Sequence, residues 1–212
     1  MKEKKEFILF DNDGVLVETE MWYYQANYDI LKTIGITLEF DTYQEIMIRG
    51  GTAWELALHK GIKKSQVDKL REKRDKLYQH FIQTKDITIN GVIQTLEELS
   101  KRYKMAIITT ARRVDFELIH KNRNIVDFME FTLCVEEYEK AKPHPAPYLA
   151  GLKKFNTTSN KAIIVEDSQR GLDSAYAANI DCIIVKNEFT KSHNFEKAKH
   201  FIDKFEDLKK LL

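Results

Sequence analysis

The chain has 212 residues, enough to bury a core as one domain with an insert or as two small domains. Hydrophobic residues make up 43% of it and charged residues 32%, which is the composition of an ordinary soluble protein. The 34 basic and 33 acidic residues nearly cancel, so the net charge gives no reason to expect nucleic acid or an anionic membrane as a partner.

Short apolar runs recur along the chain and are separated by segments with helical periodicity. Five of the runs are predicted as parallel strands buried on both faces, and Phe201-Ile202 as a short sixth. The five runs are Phe7–Phe10, Met105–Ile108, Phe131–Val135, Ala162–Val165 and Cys182–Val185. The predicted helices between them are Val92–Leu99, Val114–His120, Tyr148–Phe155 and Leu172–Ala178. This alternation predicts an α/β fold with a doubly wound, Rossmann-like parallel sheet.

Residues 18–84 differ from the rest of the chain because they contain no convincing strand. Gly35, Gly50-Gly51 and Gly61 divide this stretch into several predicted helices. We therefore predict two domains. Residues 1–17 and 85–212 form an α/β core, and residues 18–84 form a helical domain inserted after the first strand.

The first predicted strand runs directly into Asp11-Asn12-Asp13-Gly14. Ligands of open α/β sheets bind at the carboxyl ends of the strands, where these two acids are expected. Two carboxylates held this close repel each other strongly unless a cation or a proton intervenes. Phosphoryl transfer uses such a pair, with one carboxylate to attack phosphorus, one to move protons and a metal ion to neutralise both.

Two further segments carry groups suited to holding a phosphoryl group. Thr109-Thr110 ends the second predicted strand, where a hydroxyl can donate to a phosphoryl oxygen and the following backbone N–H groups can bind an anion. Lys142 precedes a short loop that contains every proline of the chain. Because proline fixes φ, this loop should be stiff and should hold the lysine in one direction.

The fourth predicted strand ends in two adjacent acids, Glu166-Asp167. Carboxylate oxygens are the ligands that Mg²⁺ requires, so these acids are candidate metal ligands. Ser168 follows and is a good N-cap for the next helix. Asn179 is placed to end that helix, because asparagine tolerates the left-handed conformation common at helix ends.

Taken together, these four motifs resemble those of the haloacid dehalogenase superfamily of phosphotransferases. In order, they are similar to its DxDGxxxDT/S, strand-Thr/Ser, GKPxPxxY and EDSxxG motifs, and they span residues 7 to about 185. Ala141 and Glu18 replace a usual glycine and a usual aspartate of these motifs. Asn12 stands where the family often has an apolar residue, and we expect a solvent-directed position that tolerates it.

The resemblance also implies an architecture. The helical insert is similar to the cap of the β-phosphoglucomutase and phosphoglycolate phosphatase branch. Such a cap closes over the site and excludes water. The sheet of this family implies the strand order 5-4-1-2-3, with the first strand central.

The resemblance assigns chemical roles as well. It implies that Asp11 attacks phosphorus and becomes an aspartyl phosphate, while Asp13 protonates the leaving group and then activates water. It implies a Mg²⁺ ion held by Asp11, by the backbone carbonyl of Asp13 and by Asp167, with Glu166 either binding the ion or supporting a ligand. The candidate phosphate- and substrate-binding residues are Thr109, Thr110, Lys142 and, from the insert, Arg49.

Two positions favour a phosphatase, a phosphoric monoester hydrolase, over the alternative, a β-phosphoglucomutase-type mutase. The arginine with which such mutases grip a second phosphate aligns with Ala53, and a histidine of their first cap helix aligns with Tyr23. A non-catalytic binding module is disfavoured, because it would normally have lost one of the four central motif residues. All four are present: Asp11, Asp13, Lys142 and Asp167.

The cysteines and the N-terminal segment predict the compartment. Cys134 and Cys182 lie in apolar runs with no zinc or disulfide spacing, which suits a reducing cytoplasm. Met1–Glu6 is too charged for a signal peptide, and no apolar stretch is long enough for a membrane span. We therefore expect a cytoplasmic monomer, without a membrane or nucleic-acid partner, that acts on a small phosphorylated metabolite.

Overall fold

The structure, a computed structural model, describes residues 4–212, so residues 1–3 of the charged N-terminal segment lie outside the described residues. The chain divides into two units. The α/β unit takes in the chain up to Glu18 together with Thr88–Leu212, and the helical unit is Thr19–Ile87. The sequence placed the boundaries of the insert at 18 and 84.

The α/β unit contains one six-stranded sheet in which every neighbouring pair is parallel. Its strands are β1 Phe7–Phe10, β2 Lys104–Ile108, β3 Phe131–Leu133, β4 Ala162–Glu166, β5 Asp181–Val185 and β6 His200–Ile202. The order across the sheet is β3-β2-β1-β4-β5-β6. This is the predicted order read from the opposite edge, with β6 added beside β5. The doubly wound parallel sheet is therefore confirmed.

Nine α-helices are present in the described residues. Those of the helical unit are α1 Glu20–Lys32, α2 Phe40–Ile48, α3 Glu55–His59 and α4 Lys64–Thr84. Those of the α/β unit are α5 Val92–Ser100, α6 Arg113–His120, α7 Ala146–Phe155, α8 Gln169–Ala177 and α9 Leu208–Leu211. Among the described residues, no helix combines the length and the apolar character needed to cross a lipid bilayer.

The register of the sheet determines where the motif residues emerge. Phe10, the last residue of β1, pairs with Ile107 of β2 and Val165 of β4. Both central strands, β1 and β4, are almost completely buried, as parallel strands covered by helices on both faces should be. Their carboxyl ends therefore deliver the motif residues to one edge of the sheet.

The third strand is shorter than predicted. It ends at Leu133 rather than at Val135, and a 3-10 turn follows over Val135–Glu137. The carboxylate of Glu137 accepts a hydrogen bond from the backbone N of Cys134 at 2.9 Å, which closes this turn and stops the extended chain. A polar side chain thus overrides an apolar run that otherwise predicts strand.

The predicted boundaries of α8 are supported by its capping residues. The Ser168 hydroxyl accepts a hydrogen bond from the backbone N of Gly171 at 3.1 Å, which is the N-cap interaction expected from the sequence. Asn179 lies just beyond the helix with φ of 56°, in the left-handed region. The helix therefore begins directly after its predicted N-cap, three residues before the predicted segment Leu172–Ala178, and ends just before Asn179.

The helical unit has its own buried core. Trp54, Tyr43, Leu31 and Leu38 are almost completely buried in it. Arg74 of α4 is 5% exposed, and its guanidinium donates to the Asn27 side-chain oxygen at 2.9 Å. These contacts tie α4 to α1 within the unit.

Candidate active site

Lys142 connects two of the sequence motifs directly. Its Nζ donates to Asp11 Oδ1 at 2.6 Å, to Glu166 Oε1 at 2.7 Å and to the backbone oxygen of Ile108 at 2.9 Å. The lysine is 3% exposed and has three acceptors for its three N–H groups. The structure therefore brings together the ends of β1, β2 and β4 and the proline-rich loop, as the motifs suggested.

The charges around this lysine determine its protonation. Burial alone would lower the pKa of Lys142, but the carboxylates of Asp11 and Glu166 outweigh burial and raise that pKa above its usual value. The neighbouring carboxylates therefore favour the charged ammonium form of this side chain. Its charge lies beside the Asp11 carboxylate, with Nζ 2.6 Å from Oδ1.

Glu166 is surrounded by hydrogen-bond donors. Its Oε1 accepts from Lys142 and from the Tyr148 hydroxyl at 2.7 Å each. Its Oε2 accepts from the Asp167 backbone N at 3.1 Å and from the Ser168 hydroxyl at 3.0 Å. Burial raises the pKa of Glu166, but Lys142 and these donors lower it below its usual value. Both oxygens of this carboxylate are thus engaged by protein groups.

Gly171 is needed because of Glu166. A Cβ built on Gly171 would lie 1.9 Å from the Glu166 carboxylate carbon, which no side chain can tolerate without a shift of the carboxylate. This residue belongs to the fourth motif, whose glycine would otherwise be explained by close packing of a helix on the sheet. The structure gives a more specific reason, which is room for the carboxylate.

Asp167 is held by a contact that the sequence did not suggest. The Asn187 side-chain amide donates to Asp167 Oδ2 at 2.9 Å, while Asn187 Oδ1 accepts from both the backbone N and the hydroxyl of Thr190 at 2.9 Å. The two donors from Thr190 fix which end of the amide faces Asp167. Gly14 lies on the same side, with φ of 77°, and a Cβ there would lie 2.1 Å from Asp167 Oδ2.

Three of these acids form a buried cluster with metal-ligand spacing. Single carboxylate oxygens of Asp11, Glu166 and Asp167 all lie within 4.8 Å of one another. Three carboxylates against the one ammonium of Lys142 leave an excess of buried negative charge. Burial, the largest influence, raises the pKa of Asp11 to about 8, with Lys142 opposing it. A hard divalent cation with oxygen ligands fits this donor set and would neutralise the excess.

Thr109 and Asp13 face each other at the same edge. The Thr109 hydroxyl donates to Asp13 Oδ2 at a long 3.3 Å and accepts from the backbone N of Ala111 at 3.0 Å. The backbone N of Ala111 therefore binds Thr109 here, although the sequence suggested that the N–H groups after Thr109 would bind an anion. The neighbouring Thr110 hydroxyl accepts from Arg170 at 3.2 Å.

The expectation for Asn12 was wrong. We predicted a solvent-directed position, but Asn12 is completely buried, and its Oδ1 lies 2.7 Å from Nε2 of His120 in α6. The backbone oxygen of Asn12 accepts from the backbone N of Leu16 at 2.8 Å, which folds the chain back in a tight loop. The side chain of Asn12 therefore points into the interior toward α6 rather than to solvent.

The candidate residues of the helical unit have structural contacts of their own. Arg49 forms an ion pair with Glu55 and is largely exposed. Ala53 is 3% exposed, and Tyr23 stacks under the guanidinium of Arg74 at 4.5 Å. These contacts lie within the unit, so Arg49 remains a prediction as a substrate-binding residue.

Sequence reasoning missed several residues around the acids. Asn187 and His120 make hydrogen bonds to motif residues but lie outside every motif, and nothing in their local sequence signals it. Tyr138, whose hydroxyl donates to the backbone oxygen of Thr109 at 2.6 Å, also lies in a segment with no motif. Only Tyr148 could have been found, because it ends the proline-rich third motif.

The chain is similar to several known proteins. Among curated proteins, the chain is 26% identical over 185 residues to a phosphorylated carbohydrates phosphatase of Thermotoga maritima, covering 84% of this chain and 83% of that protein. A much longer relative is the chloroplastic protein SUPPRESSOR OF QUENCHING 1 of Arabidopsis thaliana, of which the chain spans only 18%.

Two solved structures illustrate the likeness of fold. CbbY of Rhodobacter sphaeroides, solved with phosphate, is 20% identical with a TM-score of 0.81 and covers 96% of each chain. β-Phosphoglucomutase of Clostridium difficile is 22% identical with a TM-score of 0.78, covering 96% of this chain and 93% of that one. A family model described as haloacid dehalogenase-like hydrolase matches residues 8–185. With most of its length matched by that model, the chain belongs to the haloacid dehalogenase-like hydrolase family.

Proposed function

We propose that the protein is a Mg²⁺-dependent phosphatase that hydrolyses a small phosphorylated metabolite through an aspartyl phosphate on Asp11. One observation carries this proposal: the Asp11 carboxylate is buried at a strand end, 2.6 Å from the Lys142 ammonium and within 4.8 Å of Asp167. A nucleophilic carboxylate needs a nearby cation to bind the incoming phosphate and a second acid to hold a metal ion. Both are present.

The proposed reaction has two steps. In the first, an oxygen of Asp11 bonds to phosphorus while the bond from phosphorus to the ester oxygen breaks, and Asp13 gives its proton to that leaving oxygen. In the second, Asp13 takes a proton from a water molecule whose oxygen attacks phosphorus. The bond to Asp11 then breaks, which releases inorganic phosphate and restores both carboxyl groups.

The acids divide into two groups with respect to Mg²⁺. Asp11, Asp167 and the backbone carbonyl of Asp13 would hold the ion. Glu166 would support them, because both of its oxygens already accept hydrogen bonds from protein donors and it anchors Lys142. When bound, the ion supplies charge neutralisation for the phosphoryl oxygens and for the carboxylates that surround them.

The phosphoryl group itself would be held by Lys142, Thr109 and Thr110. The hydrogen bond that the Thr109 hydroxyl donates to Asp13 is long, at 3.3 Å, so this proton can turn to a phosphoryl oxygen at little cost while the hydroxyl still accepts from the backbone N of Ala111. Lys142 would supply the positive charge for the same oxygens. Arg49 is proposed for the remote end of the substrate, where it would exchange its pairing with Glu55 for a substrate group.

A mutase is the second candidate, since a β-phosphoglucomutase shares this fold with a TM-score of 0.78. A mutase must hold a bisphosphate at both ends, and Ala53 offers no charge for the distal phosphate. We therefore expect β-glucose 1-phosphate, if it is a substrate, to yield inorganic phosphate rather than glucose 6-phosphate. Because Ala53 is buried, replacing it with arginine would disturb packing and would not test this expectation cleanly. Analysis of the products formed from β-glucose 1-phosphate tests it directly.

The class of substrate rests on the relatives. One of them is named as a phosphatase of phosphorylated carbohydrates, which supports a sugar phosphate or a similar phosphomonoester here. We propose that the helical unit acts as the cap that selects among such substrates. A cytoplasmic monomer remains our prediction, and the buried, unbridged Cys134 and Cys182 agree with a reducing compartment.

Phosphate release from p-nitrophenyl phosphate tests the proposal. We expect turnover with Mg²⁺, its loss after chelation with EDTA, and its return when Mg²⁺ is added in excess. A panel of phosphorylated metabolites should then give one or a few substrates with higher kcat/KM. Hydrolysis that persists in EDTA, or no hydrolysis of the generic ester or of any panel member, would contradict the proposal.

A further inference from the structure

The buried contact between Asn12 and His120 connects the nucleophile loop to a helix of the neighbouring motif. Asn12 lies between Asp11 and Asp13, and its Oδ1 is 2.7 Å from His120 Nε2. His120 is the last residue of α6, which follows the Thr109 motif. The contact therefore joins two segments that are 108 residues apart in the chain and that both contribute to the candidate site.

The protonation of this pair follows from its partners. Asn12 Oδ1 can only accept, so His120 carries its proton on Nε2 and donates. Burial lowers the pKa of His120 to about 4, which keeps the ring neutral near neutral pH. The imidazole is also packed against Phe116, with the ring centroids 4.5 Å apart. The donor is thus held in one place and in one protonation state.

Stability alone does not explain this pair. Within the part of the chain that the structure describes, the remaining polar atoms, Asn12 Nδ2 and His120 Nδ1, are buried without a hydrogen-bond partner. A buried polar atom without a partner is unfavourable, and two apolar side chains of similar size would avoid that penalty. The polar pair therefore needs another reason.

We propose that the Asn12–His120 hydrogen bond is a positioning contact that fixes the loop carrying Asp11 and Asp13 against α6. The proposal rests on the proposed phosphatase function for its kinetic consequence. Asn12 has a fixed backbone, since its carbonyl accepts from the N–H of Leu16 at 2.8 Å, and a fixed side chain, since His120 holds its amide. Because both the backbone and the side chain of Asn12 are held, the carboxylates of Asp11 and Asp13 keep a fixed separation and direction.

Thr95 provides a matched control. It is completely buried in α5 of the same unit, and its hydroxyl also has no hydrogen-bond partner among the described residues. Replacing it with valine removes a buried, unpartnered polar atom without touching the Asn12–His120 contact. A purely structural account therefore predicts that T95V behaves like an apolar replacement of the pair.

The experiment compares N12L, H120L, the double variant N12L/H120L, H120Q and T95V. Gln carries an amide nitrogen the same number of bonds from Cβ as His Nε2, so H120Q keeps the donor. Steady-state kcat and KM are measured with p-nitrophenyl phosphate and Mg²⁺, and hydrogen exchange of the segment 11–17 is measured by mass spectrometry. The exchange readout does not depend on catalysis.

We expect kcat to fall roughly 10- to 100-fold in N12L, H120L and the double variant, with KM changed by less than about threefold. The double variant should lose no more than either single variant, because the two residues act as one unit. Exchange of residues 11–17 should be faster in all three. H120Q and T95V should retain the kcat and the exchange rate of the unaltered protein.

Wild-type kcat and exchange in the folded double variant would overturn the proposal, as would an H120Q variant as impaired as H120L. If a single variant fails to fold, the double variant decides, because it leaves neither partner alone in the core. If the unaltered protein hydrolyses no phosphate ester, the proposed function fails. The exchange rates of H120L, H120Q and T95V would still show whether the contact fixes the loop.

Discussion

The two units of this protein bury charge in different ways. In the α/β unit, Asp11, Glu166 and Asp167 are buried against the one ammonium of Lys142, so negative charge is left in excess. In the helical unit, Arg74 is the only charged side chain that is buried among the described residues. It pairs with a neighbouring carboxylate, that of Asp75, at 2.8 Å.

This difference separates a reactive site from a structural contact. A buried charge that is paired with neighbouring groups holds helices together and requires no further ligand. A buried excess of carboxylates is unstable without a cation, which is why we propose that a metal ion binds among these acids.

Replacing the nucleophile should have the largest effect. Asp11→Asn keeps the shape of the side chain but removes both the attacking carboxylate and a metal ligand, so kcat should fall at least about 1,000-fold. Asp203→Asn makes the same chemical change at an aspartate whose side chain is 80% exposed, and it should leave kcat unchanged. The kcat of both variants is measured with p-nitrophenyl phosphate as substrate. Appreciable turnover by D11N would remove the basis of the mechanism.

The buried cations of the two units should respond differently to the same substitution. Lys142→Met leaves Asp11 and Glu166 without their ammonium, so it should lower the free energy of unfolding by about 3–5 kcal/mol and abolish turnover. Arg74→Met should lower the free energy of unfolding by about 1–3 kcal/mol, because Asn27 loses a donor, but kcat should stay within a few-fold.

Urea unfolding in the presence of EDTA and turnover with Mg²⁺ measure the two effects separately. A folded R74M variant that was as inactive as K142M would contradict the proposed difference between the two units. A K142M variant with the activity of the unaltered protein would contradict it as well.

Asn187 should matter for metal affinity rather than for folding. Asn187→Leu removes the donor that holds Asp167, so the Kd for Mg²⁺ should rise roughly 10-fold, as is typical when a residue that orients a metal ligand is lost. Calorimetric titration of Mg²⁺ into the metal-stripped protein measures this directly. Asn194→Leu, at an exposed asparagine of the same loop, is the matched control. Equal affinities in the two variants would show that Asn187 does not orient Asp167.

The buried histidine of α6 should make the stability of the α/β unit depend on pH. Unfolded His120 binds a proton below about pH 6.5, whereas the folded protein keeps it neutral down to about pH 4. The unfolded state therefore binds more protons between these values, so the free energy of unfolding should fall as pH is lowered through this window, by about 1–3 kcal/mol for this group.

The comparison of H120Q with the unaltered protein isolates that contribution, because Gln does not titrate. The loss of stability between pH 6.5 and pH 4 should be smaller in H120Q than in the unaltered protein. If the free energy of unfolding fell equally with pH in H120Q and in the unaltered protein, His120 would be protonated equally in the folded and unfolded states.

The fold and the positions of the central acids could be predicted from the sequence, because the strand ends determine where these acids lie. Asp11, Thr109 and Glu166 are at or just after the ends of buried parallel strands, and the register of a parallel sheet brings such ends to one edge. Lys142 was found because its loop has an unusual density of proline. In each case a short local pattern determines where the residue lies.

The supporting residues could not be predicted in the same way. His120 and Asn187 reach the motif residues through contacts between segments 108 and 20 residues apart, and those contacts depend on how the helices pack on the sheet. The side chain of Asn12 was placed wrongly because a polar residue after a strand normally faces solvent, whereas here α6 supplies a buried donor. For Arg49, whose side chain is long and exposed, the sequence gives only a candidate.

The central claim is that Asp11 carries the phosphoryl group during turnover. The most direct test mixes the protein with p-nitrophenyl phosphate and Mg²⁺, stops the reaction with acid within the first turnover and locates any phosphoryl group by peptide mass spectrometry. We predict one phosphoryl group on Asp11, formed and lost at rates that account for kcat, and none in D11N. A phosphoryl group on another residue, or steady-state hydrolysis with no phosphorylated protein at any time point, would contradict the account.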